Sequence, residues 1–329
     1  MGTINHRLSV APMMDWTDRH ERFFLRRITA RTLLYTEMIT TAAIIHGDQE
    51  KLLGFDASEH PLALQVGGSD GEELATCAKL AADLGYDEIN LNVGCPSDRV
   101  QSGRFGACLM AEPALVAECV SAMMSGGIPV TVKCRIGIDD RDSYDDLLDF
   151  ITTVQKGGIT SFTVHARKAV LSGLSPKENR DIPPLRPEDV YRLKAELPDL
   201  EIVINGGILD LDAVRHHLDH VDGVMIGRAA YHNPWMLARA DAQIFGDPPT
   251  GLTRNAIIAD MVDYADDHIS AGGRLMDITR HMLGLFQGVP GARAWRRMLT
   301  EKARLDNARP ELLMHAAAAI PEEIRLQAH

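Results

Sequence analysis

At 329 residues, with 45% hydrophobic and 24% charged side chains, the chain has the make-up of an ordinary globular protein, and disorder as its main theme is excluded. A formal net charge of −12 argues against indiscriminate nucleic-acid binding, which needs a surplus of Lys and Arg, but leaves room for a local basic patch. Five cysteines (Cys77, Cys95, Cys108, Cys119, Cys134), an odd number without CxxC spacing or a His cluster, argue against disulfides and against a metal site, so any functional cysteine acts as a thiol.

The segment Met1 to Arg7 lacks the charged-then-apolar profile of a signal peptide. No apolar run approaches the roughly 20 residues of a membrane helix. A cytoplasmic protein with no membrane partner is expected. From there to about residue 230, short β-branched or apolar runs alternate with helix-like segments: Leu8–Ala11, Thr32–Glu37, Leu62–Val66, Glu88–Val93, Val130–Cys134, Ser161–His165, Glu201–Asn205 and Gly223–Ile226. Ser69 with Glu72 reads as a capping box, and Asp139 or Asp142 and Asp212 sit where N-caps would. Eight strands alternating with helices read as a (β/α)8 TIM barrel of the α/β class. A doubly wound sheet competes poorly, since no GxGxxG follows the first strand.

After Pro234 the strand pattern stops, and Gly246-Asp-Pro-Pro-Thr-Gly251 has a linker's composition. Ile257, Ile258, Met261, Val262, Ala265 and Ile269 then recur at helical spacing, with further helices expected over 277–287 and 292–304. Gly272-Gly273 and Gly288 are plausible helix stops. The expected division is a barrel over 1–245 and a small helical domain over 246–329.

Polar residues collect at the C-terminal ends of the expected strands, where barrel enzymes build their sites. Lys133 and Arg135 share one face of their strand, Thr163 and His165 share one face of theirs, and Gln65, Asn92 and Asn205 end strands similarly. Any one could be a satisfied core group; polar ends on five strands at one mouth are harder to assign to packing. Asn205-Gly206-Gly207 and Gly227-Arg228 follow the last two strands, where barrels hold phosphates on backbone amides, although glycine also serves a plain tight turn. Lys133 opposite a phosphate could be a Schiff-base nucleophile or a fixed cation beside a flavin. Cys95 lies in the loop just past the fourth strand, whereas a cysteine without such a placement is usually buried and inert.

These residues carry a resemblance that spans nearly the whole chain in order: Ala11-Pro-Met-Met-Asp-Trp-Thr-Asp18, Gln65-Val-Gly-Gly68, Asn90-Leu-Asn-Val-Gly-Cys-Pro-Ser97, Val132-Lys-Cys-Arg-Ile-Gly137, Val164-His-Ala-Arg167, Asn205-Gly-Gly207 and Gly227-Arg228. The sequence resembles the tRNA-dihydrouridine synthases, in particular their A-type bacterial branch. The resemblance implies bound FMN, with Pro12, Met13 and Met14 along the flavin, Gln65 and Lys133 on its ring edge, and His165, Asn205, Gly206, Gly207, Gly227 and Arg228 on its ribityl-phosphate tail. It implies reduction by NADPH, hydride transfer from FMN to C6 of an extruded uracil, and a proton to C5 from Cys95, with Asn92 and Arg135 orienting the base. An ordinary thiol, with a pKa of ~8.5, is mostly protonated at neutral pH and so suits that role.

Leu174-Ser-Pro-Lys-Glu-Asn-Arg-Asp-Ile-Pro-Pro184 resembles the signature of the branch that modifies uridines 20 and 20a of tRNA, which makes Lys177 and Arg180 candidate RNA contacts. Between Arg274 and Arg304 seven Lys/Arg face only Asp277 and Glu301, and Arg293, Arg296 and Arg297 share a helical face. With tRNA as the expected partner, Arg293 and Arg296 are candidate phosphate contacts; no obligate protein partner is evident. The rival expectations are a flavoprotein acting on a small enone, a cofactor-free RNA-binding protein on the same barrel, and a Schiff-base aldolase using Lys133.

Overall fold

The computed structural model describes residues 4–329, apart from the side chain of Arg99; residues 1–3 of the segment read for a signal peptide lie outside the described residues. Eight parallel strands form one sheet: β1 (Leu8–Val10), β2 (Leu34–Thr40), β3 (Leu62–Gly67), β4 (Glu88–Val93), β5 (Val130–Arg135), β6 (Ser161–His165), β7 (Glu201–Asn205) and β8 (Gly223–Ile226). From β2 to β8 each strand pairs with its sequence neighbour, and β8 pairs with β1. A single bridge, Ser9 to Leu33, with Val10 N–H donating to the Leu33 carbonyl at 2.9 Å, closes the ring between β1 and β2. The TIM barrel expected from the alternating pattern is thus present.

β2 begins later and runs further than expected. Thr32 is spent on the preceding corner, where its carbonyl accepts from Arg26 Nη2 at 2.8 Å. A shift of register between Tyr35 and Met38 then lets the strand continue past Thr36 and Glu37 instead of ending there. Three helix starts differ by one to four residues. Asp70, not Ser69, caps Gly71–Leu84 by accepting from the amides of Glu72 and Glu73. Ser143 caps Tyr144–Gln155 in a reciprocal box with Asp146. Asp139 instead sits in the left-handed region at φ 44, and Asp142 pairs with Lys168. Asp210 caps Leu211–Leu218, with Asp212 in its first turn.

Inside the barrel Ala11, Leu33, Tyr35, Ala63, Val203 and Met225 pack together. Beneath the mouth runs a polar ladder anchored on Glu88, which is 0% exposed. Its carboxylate takes hydrogen bonds from Tyr35 OH (2.9 Å) and Thr131 Oγ1 (2.6 Å) and pairs with His6 Nε2 (2.6 Å), whose other ring nitrogen lies 2.9 Å from Glu201. Burial disfavours charge on His6, but Glu201 and Glu88 outweigh it and raise its pKa to about 10.

No regular structure occurs over 246–253, and the chain beyond it is helical: Arg254–Ser270, Leu275–Thr279, Ala292–Lys302, Leu312–Ala317 and Glu322–Arg325. The helix expected over 277–287 is broken into Leu275–Thr279 and a 3-10 turn at Met282–Gly284. At Gly284 the backbone is pressed against the barrel: a Cβ there would meet the His232 carbonyl at 2.6 Å. Trp295, fully buried, donates to the Met282 carbonyl at 3.0 Å. Asp18, at the head of the helix Arg19–Ile28, ties the two regions together through Arg280 and His281. Among the described residues no helix is long and apolar enough to cross a membrane.

Candidate active site at the barrel mouth

Strand alternation turns Gln65, Asn92, Lys133, Arg135, His165 and Asn205 toward the barrel axis at the C-terminal ends of five consecutive strands. The register makes them neighbours: Asn92 stands opposite Lys133, Arg135 opposite His165, and His165 opposite Asn205. The polar ladder rises into this set. Thr131 accepts from Asn90 Nδ2 at 2.8 Å, Asn90 accepts from Gln65 Nε2 at 2.8 Å, and Gln65 accepts from Asn92 Nδ2 at 2.9 Å. Every amide in it therefore has a fixed orientation, running from Glu88 to the mouth.

Asn92 ends the ladder by organising the next loop. Its Oδ1 accepts from the backbone amides of Gly94 (3.1 Å) and Cys95 (3.0 Å), an Asx turn that holds the cysteine just beyond the strand. From the other side Ala107 N–H donates to the Cys95 carbonyl at 2.9 Å. Only glycine fits before it: Gly106 has φ 73, and a Cβ there would meet Val100 at 2.3 Å and the Cys95 carbonyl at 2.7 Å. Cys95 is half-buried, whereas Cys77, Cys119 and Cys134 are buried thiols whose pKa burial pushes up.

Lys133 Nζ donates to Asn205 Oδ1 at 3.2 Å, and Asn205 Nδ2 donates to the Met225 carbonyl at 2.8 Å, which fixes the amide oxygen toward the lysine. Burial, then the Arg135 charge, lower the Lys133 pKa to about 8. His165 is pushed well below the ordinary histidine value by burial and by Arg135 and Lys133, so its ring is neutral. The mouth is an electropositive hollow: Arg167, Arg180 and Arg228 approach it as well, with Asp181 pairing Arg228 at 2.8 Å. Among the described residues no three His, Cys, Asp or Glu side chains are grouped to hold a metal.

The turn after β7 is close-packed, whereas the turn after β8 leaves room for a ligand. Gly206 and Gly207 have φ 113 and 74, and a Cβ at Gly206 would strike the His165 ring at 2.6 Å. Nothing lies within 4 Å of a Cβ built at Gly227, and the short helix Arg228–His232 that it opens has no side-chain cap. Pro12, Met13 and Met14 form the rim beyond β1, with Met14 56% exposed. That rim is held by Asp15, at φ 63, whose amide donates to Glu37 and whose carbonyl accepts from Arg280 Nη1 at 2.9 Å. A separate cavity of about 580 Å³, lined by Asp18, Arg22, Glu37, Lys51 and His268 among others, lies to one side between barrel and helical region. It does not include the convergent groups of the mouth, which are the better candidates for chemistry.

Arg135 is 4% exposed and lies under the Cys95 loop: its Nε donates to the Gly94 carbonyl at 2.8 Å, and its Nη1 to the carbonyls of Lys168 (3.1 Å) and Asn179 (3.2 Å). Lys177 and Arg180 are exposed on the loop after β6. Arg293 is exposed on the helix Ala292–Lys302, far along the chain from the mouth, and Arg296 there is bonded to Gln287 at 2.9 Å. Sequence reasoning missed Asn90, Gln101 and Asn179. Asn90 was legible, since it shares the inward face of its strand with Asn92; Gln101 and Asn179 carry no periodic signal.

Comparison with known proteins follows the same lines. The family profile described as Dihydrouridine synthase (Dus) matches residues 9–321. The chain is 58% identical over 320 residues to the tRNA-dihydrouridine(20/20a) synthase of Vibrio vulnificus, covering 97% of this chain and 98% of that protein. It is also 58% identical to that of Escherichia coli O6:H1, covering 97% and 96%, and 59% identical to that of Synechocystis, covering 95% and 94%. Among solved structures, a mutant morphinone reductase in complex with tetrahydroNAD superposes with a TM-score of 0.52 at 12% identity, covering 71% of this chain and 85% of that one, a likeness of fold alone.

Proposed function

The chain belongs to the dihydrouridine synthase family, and from that premise we propose that it reduces uridines 20 and 20a of tRNA to 5,6-dihydrouridine, with FMN as resident cofactor and NADPH as reductant. The observation that carries the reading is the convergence of a half-buried thiol and a fixed lysine at one electropositive mouth: Cys95 above Asn92, and Lys133 opposite it on β5.

The residues present fit FMN. Gly227 leaves the backbone after β8 open, with nothing within 4 Å of a Cβ built there, and Arg228 beside it adds a cation; Gly206 and Gly207, packed on His165 and Leu185, form the neighbouring turn that would flank the phosphate tail. Lys133 and Gln65 would hold the polar edge of the ring, with Pro12, Met13 and Met14 on the rim and His165 and Asn205 toward the tail. When bound, FMN supplies the hydride chemistry, accepting from NADPH and reducing uracil at C6.

The chain's own part is orientation, charge and one proton. Lys133, as a cation, would offset negative charge at the polar edge of the ring, and its bond to Asn205 keeps its ammonium in place. Asn92 and Arg135 frame the seat of the extruded base. The Cys95 S–H delivers its proton to C5, leaving a thiolate that is reprotonated from water. Lys177 and Arg180 on the rim, and Arg293 and Arg296 on the helical region, engage RNA phosphates, which a basic surface on an acidic protein would do selectively. Work on tRNA puts the enzyme in the cytoplasm.

Mass mapping of dihydrouridine in tRNA from cells with and without this protein tests reaction and position together. Loss at positions 20 and 20a, restored by the wild-type chain, is expected. Unchanged dihydrouridine at both positions would remove the proposal.

A further inference from the structure

The loop after β6 and the loop that carries Cys95 are joined by hydrogen bonds to which no catalytic part has been given. Asn179 is 0% exposed although its neighbours Glu178 and Arg180 are exposed. Its side chain gathers its own loop: Oδ1 accepts from Val170 N–H at 2.7 Å, and Nδ2 donates to the carbonyls of Val170 (2.9 Å) and Leu174 (3.1 Å). Its backbone carbonyl accepts from Arg135 Nη1, and the same guanidinium holds Gly94, next to Cys95, through Nε. A second link runs alongside, because Gln101 Nε2 donates to both the Pro96 carbonyl (2.9 Å) and the Leu171 carbonyl (2.8 Å).

Two side chains, Arg135 and Gln101, bridge two loops that would otherwise move independently, while the Asn179 side chain braces the loop on which both bridges end. Arg135 and Gln101 grip the Cys95 loop on either side of the cysteine, at Gly94 and Pro96. Both links end on the segment 168–179, which presents Lys177 and Arg180 at its exposed edge. A buried asparagine satisfying three partners of its own loop is a rigid hub, since each lost bond would leave a buried polar group unpaired.

We propose that Asn179 is a positioning residue for the proton transfer: through Arg135 and Gln101 it couples the loop facing the RNA to the placement of the Cys95 thiol. The inference rests on the reading of Cys95 as proton donor given above. It implies that RNA held at Lys177 and Arg180 steadies the thiol over C5.

The test uses the FMN-loaded full chain with Asn179→Ala, alone and combined with Cys95→Ala, on unmodified tRNA. Dihydrouridine formation is expected to fall by about 100-fold, as for a displacement of roughly 1 Å at a reacting group, while flavin reduction by NADPH stays at the wild-type rate. On the Cys95→Ala background the same substitution should cost almost nothing further, because the thiol it positions is gone. Equal losses on both backgrounds, or a parallel loss of flavin reduction, would overturn the proposal. Iodoacetamide labelling of Cys95, with buried Cys77, Cys119 and Cys134 as internal controls, reads the coupling without catalysis: Asn179→Ala should label Cys95 several-fold faster. If Cys95→Ala turned over like wild type, the proton-donor reading would fall, yet the labelling rate would still decide the coupling. Should Asn179→Ala not fold, Gln101→Ala carries the same expectation, and an unchanged Cys95 labelling rate in that variant overturns the coupling.

Discussion

Lys133 on β5 reaches Asn205 on β7 across the mouth of the barrel, 3.2 Å from Nζ to Oδ1, and the lysine's pKa is brought down to about 8 by burial and by Arg135. The free protein therefore holds this cation only weakly at mildly alkaline pH. An anionic ligand favours the charged form, so its binding takes up a proton once Lys133 has lost its own. FMN affinity is expected to be flat below pH 8 and to weaken above it by up to about tenfold per unit. Fluorescence titration of the apoprotein between pH 7 and 10 measures this, and Lys133→Met should abolish the slope. A slope that survives the substitution would assign the proton to another group.

Cys95→Ala separates the two halves of the proposed reaction. The variant should bind FMN and be bleached by NADPH as wild type is, because Asn92 and Ala107 hold the Cys95 backbone, which the substitution leaves in place, and the cofactor turns lie elsewhere. Dihydrouridine formation should fall by roughly 100- to 10,000-fold, the span for loss of a general acid. Single-turnover assays on a stated, unmodified tRNA read both steps. Wild-type turnover by the variant would leave C5 protonation to some other group.

How far the sequence revealed this site depended on periodicity. Gln65, Asn92, Lys133, Arg135, His165 and Asn205 converge as expected because a strand's alternation and the barrel's direction leave little freedom at the C-terminal ends. Cys95 was legible by its address, immediately past such an end. Arg135 was placed correctly but its partners were not foreseeable: carbonyls of Gly94, Lys168 and Asn179 come from loops whose paths no pattern encodes. Helix starts slipped for a related reason, since several Asp and Ser stand near each start and only the local chain direction decides between Asp70 and Ser69 or Ser143 and Asp142.

Arg293 and Arg297 are exposed on the helix Ala292–Lys302, while Arg296 is partly engaged by Gln287. If this face meets phosphates, Arg293→Ala and Arg297→Ala should weaken tRNA binding and each lower the slope of log K against log salt by about one. Arg296→Ala should do less, its guanidinium being already shared. Filter binding between low and moderate salt gives the slopes, and flavin reduction by NADPH should not change. Identical slopes for wild type and both exposed-arginine variants would move the RNA contact elsewhere.

At the opposite end of the polar ladder, His6 sits between Glu88 and Glu201 with its pKa raised to about 10. A histidine whose folded pKa lies above the unfolded value of about 6.5 contributes stability that is fully present below that value and is lost as pH rises through the folded pKa. The wild-type melting temperature should therefore decline between pH 6.5 and 10 relative to His6→Asn, which lacks the proton. The consequence reaches the mouth, because Thr131 Oγ1 donates to Glu88 and so accepts from Asn90, which in turn fixes Gln65, Asn92 and the Cys95 loop. Glu88→Leu removes the acceptor that sets this polarity. It should slow dihydrouridine formation more than flavin reduction, although residue 88 lies at the far end of β4 from Cys95. Parallel dependence of melting temperature on pH for wild type and His6→Asn across that range would show that the buried histidine exchanges no proton on unfolding.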